Sequence, residues 1–109
     1  MALSFERFYL IIKIQERIRK VESDLNSEAD TDNIDRCNAK IAVLVQAVFS
    51  LANFDRNKLN HCQNENPRYN ENRNSIMRFF GKTTDTQVLI NNVEDLLNRA
   101  APSMGSGLR

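Results

Sequence analysis

Apolar residues recur at helical spacing from the start of the chain. Ile11, Ile14, Ile18, Val21 and Leu25 are separated by three, four, three and four positions, which lines them along one side of a helix as a packing seam. The pattern predicts a first helix from about Ser4 to Asn26. Lys13, Arg17 and Lys20 are read as a basic stripe on the opposite, solvated side. Phe5, Tyr9 and Ile12 also lie off the seam. The first turns are therefore apolar on two sides and require a second packing partner, either another helix or another subunit.

Residues 27–33, Ser-Glu-Ala-Asp-Thr-Asp-Asn, form a polar connector in which Thr31 and Asp32 are the obvious helix caps. A second long helix follows. Ile34 precedes its seam, and Cys37, Ile41, Leu44, Val48 and Leu51 repeat the same spacing. Val43, Val45, Ala47 and Phe49 add apolar residues around the rest of its circumference, so this helix is expected to be the most buried element. Two long amphipathic helices joined by a short connector predict an antiparallel hairpin. The seam decays at Asn53, Phe54 and Asp55. Residues 63–74, rich in Asn and containing Pro67, read as a loop because the Asn amide competes for backbone hydrogen bonds.

A short helix is expected over Ser75 to Phe80, with Gly81 as a left-handed cap. Its Met77, Phe79 and Phe80 are read as core. Thr84 or Asp85 then caps a last helix whose inner side carries Val88, Leu89, Val93, Leu96 and Leu97, ending near Ala101 before Pro102. The expected fold is all-α, a four-helix bundle-like single domain over 1–102 dominated by the long hairpin, with a flexible tail at 103–109 and no sheet.

Composition narrows the function. Fifteen Lys and Arg against fourteen Asp and Glu leave a net charge of +1, too small a field to hold nucleic acid or an anionic membrane by overall charge. The charge is nevertheless uneven: residues 55–82 hold six bases and three acids. Two cysteines, Cys37 and Cys62, match no disulfide framework or metal-ligand spacing and read as small buried residues. No stretch approaches the roughly 18 to 20 apolar residues of a spanning helix. The early apolar run from Phe8 to Ile12 is flanked by Glu6, Arg7 and Lys13, unlike a signal peptide. A cytoplasmic protein without membrane contact, metal or cofactor is expected.

The one histidine lies in Asp55-Arg56-Asn57-Lys58-Leu59-Asn60-His61. Arginine, amide and imidazole together can cleave a phosphodiester without metal: the imidazole moves a proton, the guanidinium neutralises the transition state, and the amide positions the phosphate. RNA supplies its own nucleophile, the 2′-hydroxyl. Arg56, Asn57 and His61 resemble the signature of the HEPN superfamily, helical domains of toxin and antiphage ribonucleases. Its motif is Arg, often followed by Asn, His or Asp, then three variable residues and His. The resemblance implies a homodimer with two motifs facing across a cleft, Arg56 and His61 catalytic, Asn57 assisting, and an antitoxin partner holding the enzyme in check.

On a regular helix at roughly 100° per residue, positions 56 and 61 point about 140° apart. One chain brings them to a common phosphate only if the helix unwinds; otherwise two subunits must contribute. Two non-enzymatic readings stand beside the ribonuclease. In one, Lys13, Arg17, Lys20 and Lys58 lie against RNA phosphates. In the other, the chain is an interaction or assembly module whose second apolar side, Phe5, Tyr9 and Ile12, receives a partner protein. Asp55 is expected to pair with Arg56 or Lys58 at the surface.

Overall fold

The computed structural model of the chain describes residues 2–72 and 74–106. The fold is all-α, with no strand among the described residues. Five α-helices follow in order: α1 (Ala2–Asn26), α2 (Thr31–Asn53), α3 (Arg56–Glu65), α4 (Ser75–Phe79) and α5 (Asp85–Ser106), with a 3-10 turn at Pro67–Asn70. The four-helix expectation is thus one helix short. Part of the expected 63–74 loop belongs to α3 and part to the 3-10 turn.

The two long seams form the core as expected. Ile14, Val21, Cys37, Leu44 and Leu51 are buried, with Ile11, Ile18, Leu25, Ile41 and Val48 packed against them. Helix α5 lies alongside α1 in the opposite direction: Arg99 near its far end pairs with Glu6 at 2.5 Å, while Arg17 in mid-α1 reaches Thr86 at its start. Ile90, Val93, Leu96 and Leu97 complete the core from α5. Val88, expected inside, is 47% exposed, because Ile90 and Val93 define a different inward side.

Local chemistry sets the ends. Asp30, rather than Thr31 or Asp32, caps α2 by accepting the Asp32 N–H at 2.9 Å. Helix α2 stops without glycine: Phe54 takes the left-handed conformation at φ 52°, and the Phe54 and Asp55 N–H groups both return to the Ser50 carbonyl. A side chain at positive φ is unfavourable by about 1 kcal/mol or more. Packing of Phe54 on the core and the Arg7 guanidinium 5.1 Å above its ring offset that cost. Gly81 takes the expected left-handed conformation at φ 65°, and the Gly81 and Lys82 N–H groups close α4 on the Arg78 and Met77 carbonyls. Thr84 caps α5, its hydroxyl accepting the Gln87 N–H at 3.0 Å.

Helix α5 runs to Ser106, past the stop expected before Pro102; a proline withholds one N–H without necessarily ending the ladder. The flexible tail expected at 103–109 overlaps this helix through 106, and its last three residues lie outside the described residues. No helix among the described residues is long and apolar enough to cross a membrane.

Two charged side chains are buried in α2 where the seam predicts only apolar ones. Arg36 and Lys40 lie beneath the segment after the 3-10 turn. Arg36 donates to the Glu71 carboxylate and to the Asn33 amide oxygen, both at 2.9 Å. The Lys40 amine donates to the Glu71 backbone carbonyl. Buried cations persist only when hydrogen-bonded in this way.

Candidate functional site

Helix α3 carries the Arg-Asn-x-x-x-His residues. Asp55 caps it, accepting the Asn57 N–H at 3.0 Å, and Leu59, fully buried, is the side chain that fastens it to the core. The helix is regular from Arg56 to Glu65, so the unwinding that would let one chain converge Arg56 and His61 does not occur. Arg56 donates to the Asn98 amide oxygen on α5. His61 is solvent-exposed and its Nε2 lies 3.2 Å from the Glu65 carboxylate one turn on. The two groups have different partners. Asn57 and Lys58 are exposed. Lys58 lines a hollow with Gln46, Phe49, Asn53 and Asp55, at whose base the buried Ser50 hydroxyl has no hydrogen-bond partner among the described residues.

The basic stripe on α1 is interrupted by carboxylates. Lys13 pairs with Glu16 at 3.5 Å and sits 5.4 Å from the Tyr9 ring centre, while Lys20 pairs with Asp24 at 3.3 Å. Arg17 departs from the expected solvated face. Its Nε donates to the Thr86 hydroxyl at 3.2 Å and its Nη1 lies 3.9 Å from Asp85. The reason is angular: position 17 is only about 40° from Val21 on a helix, next to the seam.

Two features outside the motif take their full shape in three dimensions. The first is on α1, where Phe5, Phe8, Tyr9 and Ile12 are 82%, 60%, 61% and 54% exposed. They share one side of the helix, roughly opposite Ile14 and Val21. Phe8 joins the three residues that the sequence pattern picks out. The second lies at the α4 end. Met77, Phe79 and Phe80, read from the sequence as core, are exposed together with Ile76, because a helix of five residues offers too little surface to bury them against the hairpin. Beside them a cavity of about 360 Å³ opens between α1, α2 and the start of α5, lined in part by Arg17, Lys40, Met77 and Lys82. Burial, together with the nearby Arg17 and Arg36 guanidiniums, lowers the Lys40 amine from its ordinary 10.5 to about 8, against the raising effect of Cys37 and Glu71.

No family model, curated protein or solved structure matches the chain. The chemistry must be read from the side chains themselves. No group of three or more His, Cys, Asp or Glu side chains among the described residues could hold a metal ion. Cys37 is buried and Cys62 half-buried, both as free thiols. Burial pushes the Cys62 thiol up from its ordinary value, opposed by the hydrogen bond from the Asn66 amide, which makes it a poor nucleophile.

Proposed function

We propose that this chain is a helical interaction module that pairs with a second copy of itself through the outer face of α1. The observation that carries the reading is the contiguous exposure of Phe5, Phe8, Tyr9 and Ile12. At roughly 200 Å² for a fully exposed aromatic side chain, these four present about 500 Å² of apolar surface, the size of the largest patch on an ordinary monomer. Two such patches placed face to face bury about 1,000 Å², and the flanking polar side chains bring the total into the range of stable dimers. A second copy suits the patch because antiparallel apposition about an axis between Phe8 and Tyr9 sets Phe5 against Ile12 at both ends. An isologous contact requires that self-complementarity.

Sedimentation equilibrium of the wild type and of Tyr9→Asp tests this, with circular dichroism as the check on folding. The expected result is a dimer for the wild type and a helical monomer for the variant. A wild type that stays monomeric at high concentration, or a variant that dimerises equally well, overturns it.

The ribonuclease reading is a second proposal, supported by the exposure of both Arg56 and His61 on α3, where a partner copy can supply the complementary group. Its separate test is RNA cleavage in the absence of metal. Arg56→Ala and His61→Ala are expected to abolish cleavage while leaving helicity and dimerisation intact. Equal cleavage by these variants, or none by the wild-type dimer, ends that reading and leaves the interaction module standing.

A further inference from the structure

The α4 end of the molecule combines two features that protein folding alone does not require. Phe79 and Phe80 are 84% and 75% exposed and meet edge to face, their ring centres 5.3 Å apart. Neither ring rests in the core. Between Glu71 and Asp85 the sequence holds Arg73, Arg78 and Lys82 and no acid, so these rings sit on a basic segment.

The neighbouring cavity supplies a recessed cationic seat. Arg17, Lys40 and Lys82 line it against two carboxylates, Asp24 and Asp85. Both acids have cationic neighbours: Asp24 pairs with Lys20 at 3.3 Å and Asp85 lies 3.9 Å from Arg17. Lys40 is nearly fully buried, and its chain-internal acceptor is a neutral backbone carbonyl. An ammonium out of water, with the Arg17 and Arg36 guanidiniums near it as well as Cys37 and the Glu71 carboxylate, gains from an incoming anion, chiefly because the anion relieves its desolvation. Met77 and Lys82, which line this cavity, bracket Phe79 and Phe80 in the chain. The cationic seat and the aromatic surface therefore adjoin.

We propose that this end binds single-stranded nucleic acid, one phosphate seated in the Arg17, Lys40 and Lys82 cavity and neighbouring bases stacked on Phe79 and Phe80. Exposed rings accept unpaired bases of any sequence, whereas bases inside a duplex are already stacked and out of reach. A flexible strand can turn a phosphate into a recess while its bases remain outside. A flat lipid surface meets the aromatic tip but does not reach the buried amine. The cavity draws on α1 from Arg17 onward, on a different side of that helix from the Phe5 to Ile12 face, and the site is complete in one chain.

Fluorescence anisotropy with a labelled oligouridylate tests the proposal, using the full chain at two salt concentrations. The wild type is expected to bind, more weakly as salt rises. The exposed pair can be changed without disturbing the core, so F79A/F80A should keep its circular dichroism spectrum and lose about tenfold or more in affinity. Lys82→Gln should bind more weakly and with a shallower dependence on salt, by about 0.7 in the logarithmic slope for one lost phosphate contact. The proposal is overturned if the wild type does not bind, if F79A/F80A binds with unchanged affinity, or if the chain binds only phosphatidylserine vesicles and not the oligonucleotide.

Discussion

Lys40 gives the sharpest energetic test of the fold. Its amine is buried in α2 and donates to the Glu71 backbone carbonyl, and its pKa in the folded chain is about 8 rather than 10.5. A group whose folded value lies below its unfolded one binds fewer protons in the native state between those two values. Stability therefore rises with pH across that window. At 1.36 kcal/mol per unit, the rise from pH 8 to 10.5 amounts to about 3 kcal/mol. Below pH 8 the charged amine carries that same amount as a penalty.

Lys40→Met keeps the stem and removes the charge. It also removes the hydrogen bond to Glu71, a loss of about 1 to 2 kcal/mol. The variant should therefore be the more stable protein at pH 7, by about 1 to 2 kcal/mol, and the less stable one near pH 10.5 by a similar amount. Urea denaturation of both proteins at closely spaced pH values, under reducing conditions, measures the difference directly. Ionisable groups other than Lys40 are common to both proteins and cancel in that difference. The groups that face the amine are Arg17, Arg36, Glu71 and Cys37, and placing Cys37→Ala in both proteins leaves Lys40 as the difference between them. A difference that stays constant from pH 7 to 10.5 would refute the claim that burial of this charge opposes folding.

Two further outcomes follow from packing and charge. Leu59→Ala deletes the buried anchor of α3 and is expected to cost about 2 to 5 kcal/mol in urea denaturation, with faster amide exchange concentrated in residues 56–65. Glu71→Gln deprives Arg36 of a carboxylate partner and is expected to cost about 1 to 2 kcal/mol at neutral pH, around the low end for bonds to charged groups because Glu71 is partly exposed. The Arg36 bond, followed by that of Arg68, holds the Glu71 carboxyl below its ordinary value. Its contribution is therefore complete above the unfolded carboxyl value and lost as pH falls through the folded one. The wild type and Glu71→Gln should converge in stability in acid, as thermal melts down to pH 3 would register.

The break between α2 and α3 shows where the sequence pattern reaches its limit. The decay of the seam after Leu51 marks the end of α2, but no glycine or proline announces a turn. Phe54 adopts the left-handed cap because the core and Arg7 hold its ring, and those contacts come from residues far away in sequence. Asp55, expected as a surface ion-pair partner, is instead the cap of the next helix. For Arg17 the missing information was already in the chain, since its angle to Val21 places it at the seam. For Arg36 and Lys40 it was not, because the cover over them is supplied by Glu71, some 30 residues later.

What the sequence alone determined is the all-α class, the two long helices and their inward sides, because helical periodicity is a local property that each seam displays in full. It also singled out part of the unpartnered face of α1, since Phe5, Tyr9 and Ile12 are incompatible with the seam on the same helix. The tertiary structure decided what surrounds each polar group. It gave Arg56 and His61 different partners, left Phe79 and Phe80 outside the core, and buried Lys40 beside the α4 cavity. Those outcomes depend on how segments distant in the chain share a limited amount of buried surface, and a periodic pattern within one helix does not contain that information.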